Sequence, residues 1–237
     1  MNKQNKECIF YIVRHGETEW NKKHILQGQK DSLLTFEGIN QAKKIAIMFK
    51  KIKFDQIFSS DLIRCRWTAE IIALEHKIIV KTNKLLRELR FGRFEGKKYQ
   101  EFRDELKEQI ELREKLSKNE RFCFRLADSV ETEEEAMGSF ITFLRELALV
   151  YPSKKILIVT HGGIVRSLNT TSISRSGSTL DDIQSELRQL RRDMLAKAPI
   201  TIHANAKTSI VKGRDLLTVV EIEQRSQNTR RLAVVPG

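Results

Sequence analysis

The sequence predicts an α/β fold in which helices cover both faces of a mostly parallel sheet. The first observation is that short apolar runs alternate with longer segments whose apolar residues recur every three or four positions, as successive β-α-β units require. The second is that two of these runs, 8–13 and 156–160, end abruptly in a histidine and a glycine. Ligands of open α/β sheets lie beyond the carboxyl ends of the strands, so this edge is the expected site.

The composition is that of a globular protein. The chain has 237 residues, of which 40% are hydrophobic and 31% charged. This length allows one large domain or two small ones, and one domain is the simpler interpretation. We expect a single domain over 1–223 and a frayed tail over 224–237. No apolar run approaches the roughly 20 residues of a membrane helix, and the first run is too short for a signal peptide. Three widely spaced cysteines fit reduced thiols in the cytoplasm and indicate neither disulfides nor a zinc cage.

The net charge of +12 and the pI near 9.7 favour anionic partners, which include nucleic acid, acidic lipid and phosphorylated metabolites. Lysines and arginines are scattered along the chain rather than gathered in one block. There is no basic stretch interleaved with aromatic residues and no zinc-finger spacing, which argues against nucleic acid as the partner. The pattern favours a solvated basic surface.

The first half of the chain alternates strands and helices. The run 8–13 predicts a strand that ends at Arg14. The segments that follow predict a helix with apolar positions over 39–49, a strand over 55–60, a helix over 61–76 and a strand over 77–81. This alternation is typical of a parallel sheet.

The second half is less regular. Its segments predict a long charged helix over 97–118, a helix over 131–150, a strand over 156–160, a Ser/Thr-rich loop over 170–179, a helix over 181–196 and strands over 208–211 and 216–222. The stretch 170–198 is the atypical part of the domain.

Four polar segments lie at the ends of these elements. The first carries Arg14 and His15, and the other three carry Arg64, Glu88 and His161 in turn. Each has an ordinary structural explanation. The first pair could be a solvated strand end, Arg64 an exposed helix residue, His161 a core histidine and Glu88 an ion-pair partner. Together they indicate phosphoryl transfer to a histidine, because that chemistry requires these groups at one place.

Phosphoryl transfer depends on stabilising the charge of the non-bridging oxygens. Arginine matches phosphate with two parallel donors, which suits Arg14 and Arg64, and His161 adds a donor if it is protonated. The free N–H groups at the start of the helix that carries Arg64 would also favour an anion. A neutral imidazole held in one tautomer can attack phosphorus, and His15 is the candidate because nearby arginines resist its protonation.

An acid must protonate the departing oxygen, and Glu88 is the candidate if its surroundings favour the protonated form. Its neighbours Arg87 and Arg90 act in the opposite direction if they point the same way. Whether Glu88 can act as the acid therefore depends on where the side chains of these two arginines point.

Five motifs occur in the order found in one family, and they cover residues 8–170. They are RHGETEWN from Arg14, then Gly28, Asp31, Leu34-Thr35, Gly38 and Gln41-Ala42, then SSDLIRCRWTAE from Ser59, LRELRFGRFEG from Leu86 and VTHGG from Val159. With these motifs the chain resembles the histidine phosphatase superfamily, in its phosphoglycerate mutase-like branch. The resemblance implies a three-layer α/β/α catalytic domain and a phosphohistidine intermediate, formed with neither a metal nor an organic cofactor.

The resemblance also implies the roles of the site residues. It makes His15 the nucleophile and Glu88 the acid and base. The phosphate and substrate ligands that it implies are Arg14, Arg64, His161, Asn21, the backbone of Gly162 and, beside the substrate, Gln27 and Gly28.

The segment around Glu88 separates two reactions within this family. LRELRFGRFEG resembles the phosphatase members, whereas mutases carry an ERxYGxLxG-type run followed by a long insertion. We therefore expect hydrolysis of a small phosphorylated metabolite, with water activated by Glu88. A phosphoglycerate mutase and a non-catalytic module that binds a phospho-ligand or a protein remain the alternatives. The region after VTHGG departs from the family pattern, so the natural substrate stays open.

Overall fold

The computed structural model describes residues 8–170, 200–204 and 217–224, and it forms one six-stranded sheet. The strands are β1 Cys8–Arg14, β2 Gln56–Ser59, β3 Val80–Thr82, β4 Lys155–Thr160, β5 Ile200–Ala204 and β6 Leu217–Gln224. Their order across the sheet is β3-β2-β4-β1-β6-β5. The first four strands are parallel, and β6 and β5 add an antiparallel pair beside β1. The prediction of a mostly parallel sheet is confirmed.

Eight helices are described: α1 Glu19–Lys22, α2 Phe36–Phe49, α3 Ile63–Ala73, α4 Tyr99–Glu105, α5 Lys107–Lys115, α6 Lys118–Cys123, α7 Glu133–Val150 and α8 Gly162–Thr170. Side-chain caps set where the long helices begin. The hydroxyl of Thr35 accepts the N–H of Gly38 at the start of α2, and Thr132 accepts the N–H of Glu135 at the start of α7, which satisfies otherwise unpaired donors. Within the described residues, no helix is both long and apolar enough to cross a membrane.

Alternating side chains of the central strands bury both faces of the sheet. Ile12 and Ile158 pack into a core with α7 and α8, whereas Val13 and Val159 pack into a second core with α2 and α3. A strand points successive side chains to opposite faces, so runs that are apolar throughout are covered on both sides. The fold is therefore the expected three-layer α/β/α arrangement.

The predicted long helix over 97–118 is wrong, because the chain forms α4, α5 and α6 there. Leu106 leaves helical geometry between α4 and α5, with φ −109° and ψ 25°. It is buried in a third, separate core with Phe94, Phe102 and Val130. Ser117 then caps the start of α6. Burial of Leu106 against residues distant in sequence favours the break over a straight helix.

Other boundaries also differ from the predictions. The third strand begins at Val80, since Lys77 has a φ of +54° that a strand cannot contain. α1, α8 and β5 were not predicted. The predicted helix over 181–196 and strand over 208–211 lie outside the described residues, as does most of the predicted loop and tail. A single domain over 1–223 stays a prediction.

Candidate active site

His15 and His161 lie at the ends of neighbouring parallel strands. Arg14, the last residue of β1, is the register partner of Thr160, the last residue of β4. The residue that follows each strand is a histidine, and the two ring centroids are 5.4 Å apart. The backbone N–H of His15 donates to the carbonyl of Thr160 at 3.0 Å. The prediction that both strands bring a histidine to one edge of the sheet is confirmed.

The tautomer of His15 follows from one hydrogen bond. Its Nδ1 lies 2.8 Å from the carbonyl oxygen of Gly16, and because a carbonyl only accepts, Nδ1 carries the hydrogen and Nε2 the lone pair. Burial, followed by the charges of Arg64 and Arg14, holds the pKa of His15 well below its ordinary value. His15 is therefore a neutral imidazole with a free Nε2, the form in which a histidine is nucleophilic.

The loop that carries His15 is held by close backbone packing. A Cβ on Gly16 would lie 2.3 Å from the carbonyl oxygen of Gly38, in the first turn of α2. The N–H of Gly16 donates to the hydroxyl of Thr68 in α3 at 3.1 Å. Only glycine permits this approach, so the motif glycine serves to fix the nucleophile in place.

Arg64 is fully buried and is clamped from one side. Its Nη1 donates to the Asp31 carboxylate and to the carbonyl of Lys30, both at 2.8 Å, and its Nη2 donates to the carbonyl of Gly28 at 2.6 Å. Among the described residues, its Nε has no hydrogen-bond partner. A buried N–H on a guanidinium is costly to leave unpaired, so this edge of Arg64 is suited to an oxyanion.

The start of α3 does not offer its N–H groups to a ligand, which corrects the sequence expectation. The N–H of Ile63 donates to Asp31 at 2.7 Å, so a carboxylate of the protein already occupies this position. Asp31 thus holds both Arg64 and the helix that carries it. In the sequence, Asp31 stands within a motif, and nothing there indicates this role.

His161 is fully buried and neutral. Burial, and then the charges of Arg64, His15, Arg14 and Arg87, hold its pKa well below the ordinary value. The condition for a doubly protonated donor is therefore not favoured, and a neutral ring donates through one nitrogen only. Its Nε2 lies 2.9 Å from the hydroxyl of Ser60.

Ser60 and Cys65 are site residues that sequence analysis missed. Both are fully buried. The sulfur of Cys65 lies 3.4 Å from Nε2 and 3.6 Å from Nδ1 of His161, and it also reaches the carbonyl of Thr160 at 3.3 Å. These two side chains fix the ring of His161 from the side of α3. The only signal in the sequence is their place in the motif that follows β2.

The two glycines of the VTHGG motif make room for two different site residues. A Cβ on Gly162 would lie 2.9 Å from Nε of Arg14, so the half-buried Arg14 guanidinium rests on the start of α8. A Cβ on Gly163 would lie 2.2 Å from Oε1 of Glu88. The side chain of Glu88 is therefore seated directly on the backbone that follows His161.

Glu88 is held by backbone donors. Its Oε2 accepts the N–H of Gly163 at 2.9 Å, and its Oε1 accepts that of Leu89 at 3.1 Å. The guanidinium of Arg87 points elsewhere, because it donates to both oxygens of Asp61 at 2.7 and 2.6 Å. The positive charge of Arg87, which is adjacent to Glu88 in the sequence, is thus paired with the Asp61 carboxylate instead.

Asn21, Gly28 and Gln27, which the resemblance also implies, lie in different surroundings. The side-chain oxygen of Asn21 accepts from the N–H and hydroxyl of Thr18, in the cap of α1. Gly28 has a φ of +54° and supports Arg64 through its carbonyl. Gln27 is buried, and its Oε1 has no partner among the described residues, which leaves it available to a ligand. Gly28 therefore contributes to the site by binding Arg64, whereas Asn21 contributes to the cap of α1.

A family model and the sequence relatives place this chain in the same protein family. Residues 10–192 match the family model of the Histidine phosphatase superfamily (branch 1). The chain is 35% identical over 159 residues to Phosphoglycerate mutase-like protein 4 of Arabidopsis thaliana, covering 66% of this chain and 67% of that protein. It is 50% identical over 82 residues to the protein named "Probable phosphoglycerate mutase GpmB" of Proteus mirabilis, where the match covers 35% of this chain and 38% of that protein.

Solved structures of similar fold include both a phosphatase and a mutase. A mycobacterial glucosyl-3-phosphoglycerate phosphatase superposes with a TM-score of 0.61 at 23% identity, over 70% of this chain and 80% of that chain. A phosphoglycerate mutase from Bacillus anthracis superposes with a TM-score of 0.62 at 26% identity, over 77% and 82%. These superpositions show that the chain has the same fold as the solved structures.

Proposed function

Because this chain belongs to branch 1 of the histidine phosphatase superfamily, we propose that it hydrolyses the phosphate ester of a small metabolite through a phosphohistidine on His15. The observation that carries the proposal is the neutral His15 ring, whose Nδ1 is bound to Gly16 and whose Nε2 keeps its lone pair. It lies beside His161 and among buried arginine charge. A nucleophile in this state can attack phosphorus without first losing a proton.

In the first step, Nε2 of His15 forms a bond to phosphorus and the bond between phosphorus and the ester oxygen breaks. Arg14 and the unpaired edge of Arg64 bind the non-bridging oxygens, and neutral His161 donates one N–H to them. Glu88 gives its proton to the departing oxygen, so the alcohol leaves uncharged. The phosphoryl group then resides on His15.

In the second step, water attacks the phosphorus of phospho-His15. The Glu88 carboxylate takes a proton from the water as the new bond forms, the bond to Nε2 breaks, and inorganic phosphate leaves. His15 recovers its lone pair and Glu88 its proton. Each group returns to its starting state without a resident metal or organic cofactor.

The second candidate is a phosphoglycerate mutase, which the names of the sequence relatives favour. Hydrolysis is supported by the LRELRFGRFEG segment that carries Glu88. A non-catalytic binding module fits less well, since His15, Arg64, Glu88 and His161 are all present. Residence in the cytoplasm and a small phosphorylated metabolite as partner are part of the same proposal.

Hydrolysis of p-nitrophenyl phosphate, followed with and without EDTA, tests this function. We expect the parent protein to release phosphate equally under both conditions and His15→Ala to be inactive. Full activity in His15→Ala would exclude the phosphohistidine route, and loss in EDTA would exclude metal independence. Interconversion of phosphoglycerates without release of phosphate would establish the mutase, and inertness towards a panel of phosphate esters would establish the binding module.

A further inference from the structure

The segment that carries Glu88 crosses the ends of two strands. The N–H of Asn83 donates to the carbonyl of Ser59, at the end of β2, at 2.9 Å. The hydroxyl of Thr160, at the end of β4, donates to the carbonyl of Leu86 at 2.8 Å. The backbone is therefore anchored up to two residues before Glu88, and Arg87 is the residue between the last anchor and the acid.

The side chain of Arg87 supplies a further anchor. Its Nε and Nη2 bind the two oxygens of Asp61 as a parallel pair, at 2.7 and 2.6 Å, and its Nη1 donates to the side-chain oxygen of Gln29 at 3.2 Å. Asp61 follows Ser60, the partner of His161, and Gln29 follows Gly28, the partner of Arg64. One guanidinium thus ties together three of the segments that line the site, those of Glu88, Ser60 and Gly28.

The geometry of this pair distinguishes it from an ordinary surface salt bridge. Both side chains are largely shielded, with exposed fractions of 28% for Arg87 and 23% for Asp61. A two-point pairing of arginine with a carboxylate fixes direction as well as distance, whereas exposed single contacts contribute little. The pair can therefore hold the backbone on which Glu88 is mounted.

We propose that Arg87 and Asp61 are positioning residues, which seat the Glu88 carboxylate against Gly163 and keep the Arg87 cation away from the acid. The proposal rests on the proposed role of Glu88 in hydrolysis. In Asp61→Asn the Arg87 guanidinium loses its two-point pairing with a carboxylate and keeps the single contact to Gln29. The backbone before Glu88 is then free to shift, which moves the Glu88 carboxylate off the Gly163 N–H and away from the leaving oxygen.

The leaving group of the substrate separates this role from a merely structural one. p-Nitrophenolate departs without a proton, whereas an alkoxide requires one, so only alkyl phosphates depend on a well-placed acid in the step that kcat/KM reports. For Asp61→Asn and Arg87→Gln we expect kcat/KM to fall about tenfold or more with glycerol phosphate and less than about threefold with p-nitrophenyl phosphate. The double variant is expected to be no more impaired than the worse single variant, because the two residues act as one pair.

Arg113→Gln is the matched control, since Arg113 forms a similarly shielded ion pair with Glu133 between α5 and α7. In Arg113→Gln we expect the ratio of kcat/KM for glycerol phosphate to kcat/KM for p-nitrophenyl phosphate to stay as in the parent protein. Equal losses with both esters, or additive losses in the double variant, would overturn the proposal. Hydrogen exchange of the Gly163 amide, which donates to Glu88, gives a readout that needs no activity. We expect faster exchange in Asp61→Asn, and unchanged exchange contradicts the positioning role even if the parent protein hydrolyses neither ester.

Discussion

The Nδ1 atom of His15 lies 2.8 Å from the carbonyl oxygen of Gly16, and this contact decides which ring nitrogen can react. Gly16 is in turn held against Gly38 and Thr68, so the imidazole cannot readily exchange its two nitrogens. The phosphoryl group is therefore expected on Nε2.

Substitution of Gly163 by alanine should lower kcat about 100-fold while the fold is kept. The new Cβ would lie 2.2 Å from Oε1 of Glu88, so the carboxylate must move, and a misplacement of about 1 Å can cost a factor of this size. The kcat for p-nitrophenyl phosphate, which includes the step in which Glu88 activates water, and thermal unfolding measure the two effects.

Gly138→Ala is the matched control, because a Cβ at this position in α7 meets nothing within 4 Å. It should leave hydrolysis unchanged and raise the free energy of unfolding by about 0.5–1 kcal/mol, as expected for alanine in a helix interior. Similar activity in both variants would show that the contact between Gly163 and Glu88 does not matter for turnover.

Asp31→Asn should weaken the binding of phosphate more than it lowers turnover. Asp31 receives Nη1 of the buried Arg64 and the N–H of Ile63, and a hydrogen bond to a charged group is worth about 1.5–3 kcal/mol. We expect the inhibition constant of inorganic phosphate to rise about tenfold or more. Asp104→Asn, an exposed position that contacts Gln100, should leave it unchanged, and an equal change in both variants would contradict the role of Asp31.

The reactive histidines were predictable because each follows an apolar run, and neighbouring parallel strands end at the same edge. Arg14 was predictable for the same reason, and Arg64 because it lies in the first turn of the helix that follows β2. The residues that hold these groups in place were not predictable. Asp31 is 33 positions from Arg64 and Ser60 is 101 positions from His161, and a short polar residue in a loop carries no periodicity that reveals its partner.

The helices α4 to α6 show the same limit. Residues 97–118 contain neither proline nor glycine, and local propensity alone favours one continuous helix. The break at Leu106 depends on Phe94 and Val130, which share its core and lie outside the segment. Tertiary burial of this kind overrides propensity, and it is not visible in a local window of sequence.

The stability of the protein should fall as the pH drops below about 6.5, because burial lowers the pKa of His15 and of His161 in the folded state. The unfolded chain takes up protons there and the folded chain does not, so acid favours unfolding. Each histidine contributes a slope of up to about 1.4 kcal/mol per pH unit.

Urea unfolding between about pH 7 and pH 5 measures this slope. His161→Gln removes one of the two groups, so the free energy of unfolding should depend less steeply on pH in that variant, whatever its stability at neutral pH. An unchanged slope would mean that His161 takes up a proton in the folded protein.

The position of the phosphoryl group on the enzyme is the most direct test of the mechanism. Glu88→Gln should still be phosphorylated by p-nitrophenyl phosphate, whose leaving group needs no acid, but should release phosphate slowly because no base activates water. Alkaline denaturation of this variant during turnover, followed by peptide mass spectrometry and phosphorus NMR, locates the group. We predict one phosphoryl group on Nε2 of His15. Phosphate on another residue or on Nδ1, or turnover without any phosphorylated protein, would contradict the mechanism.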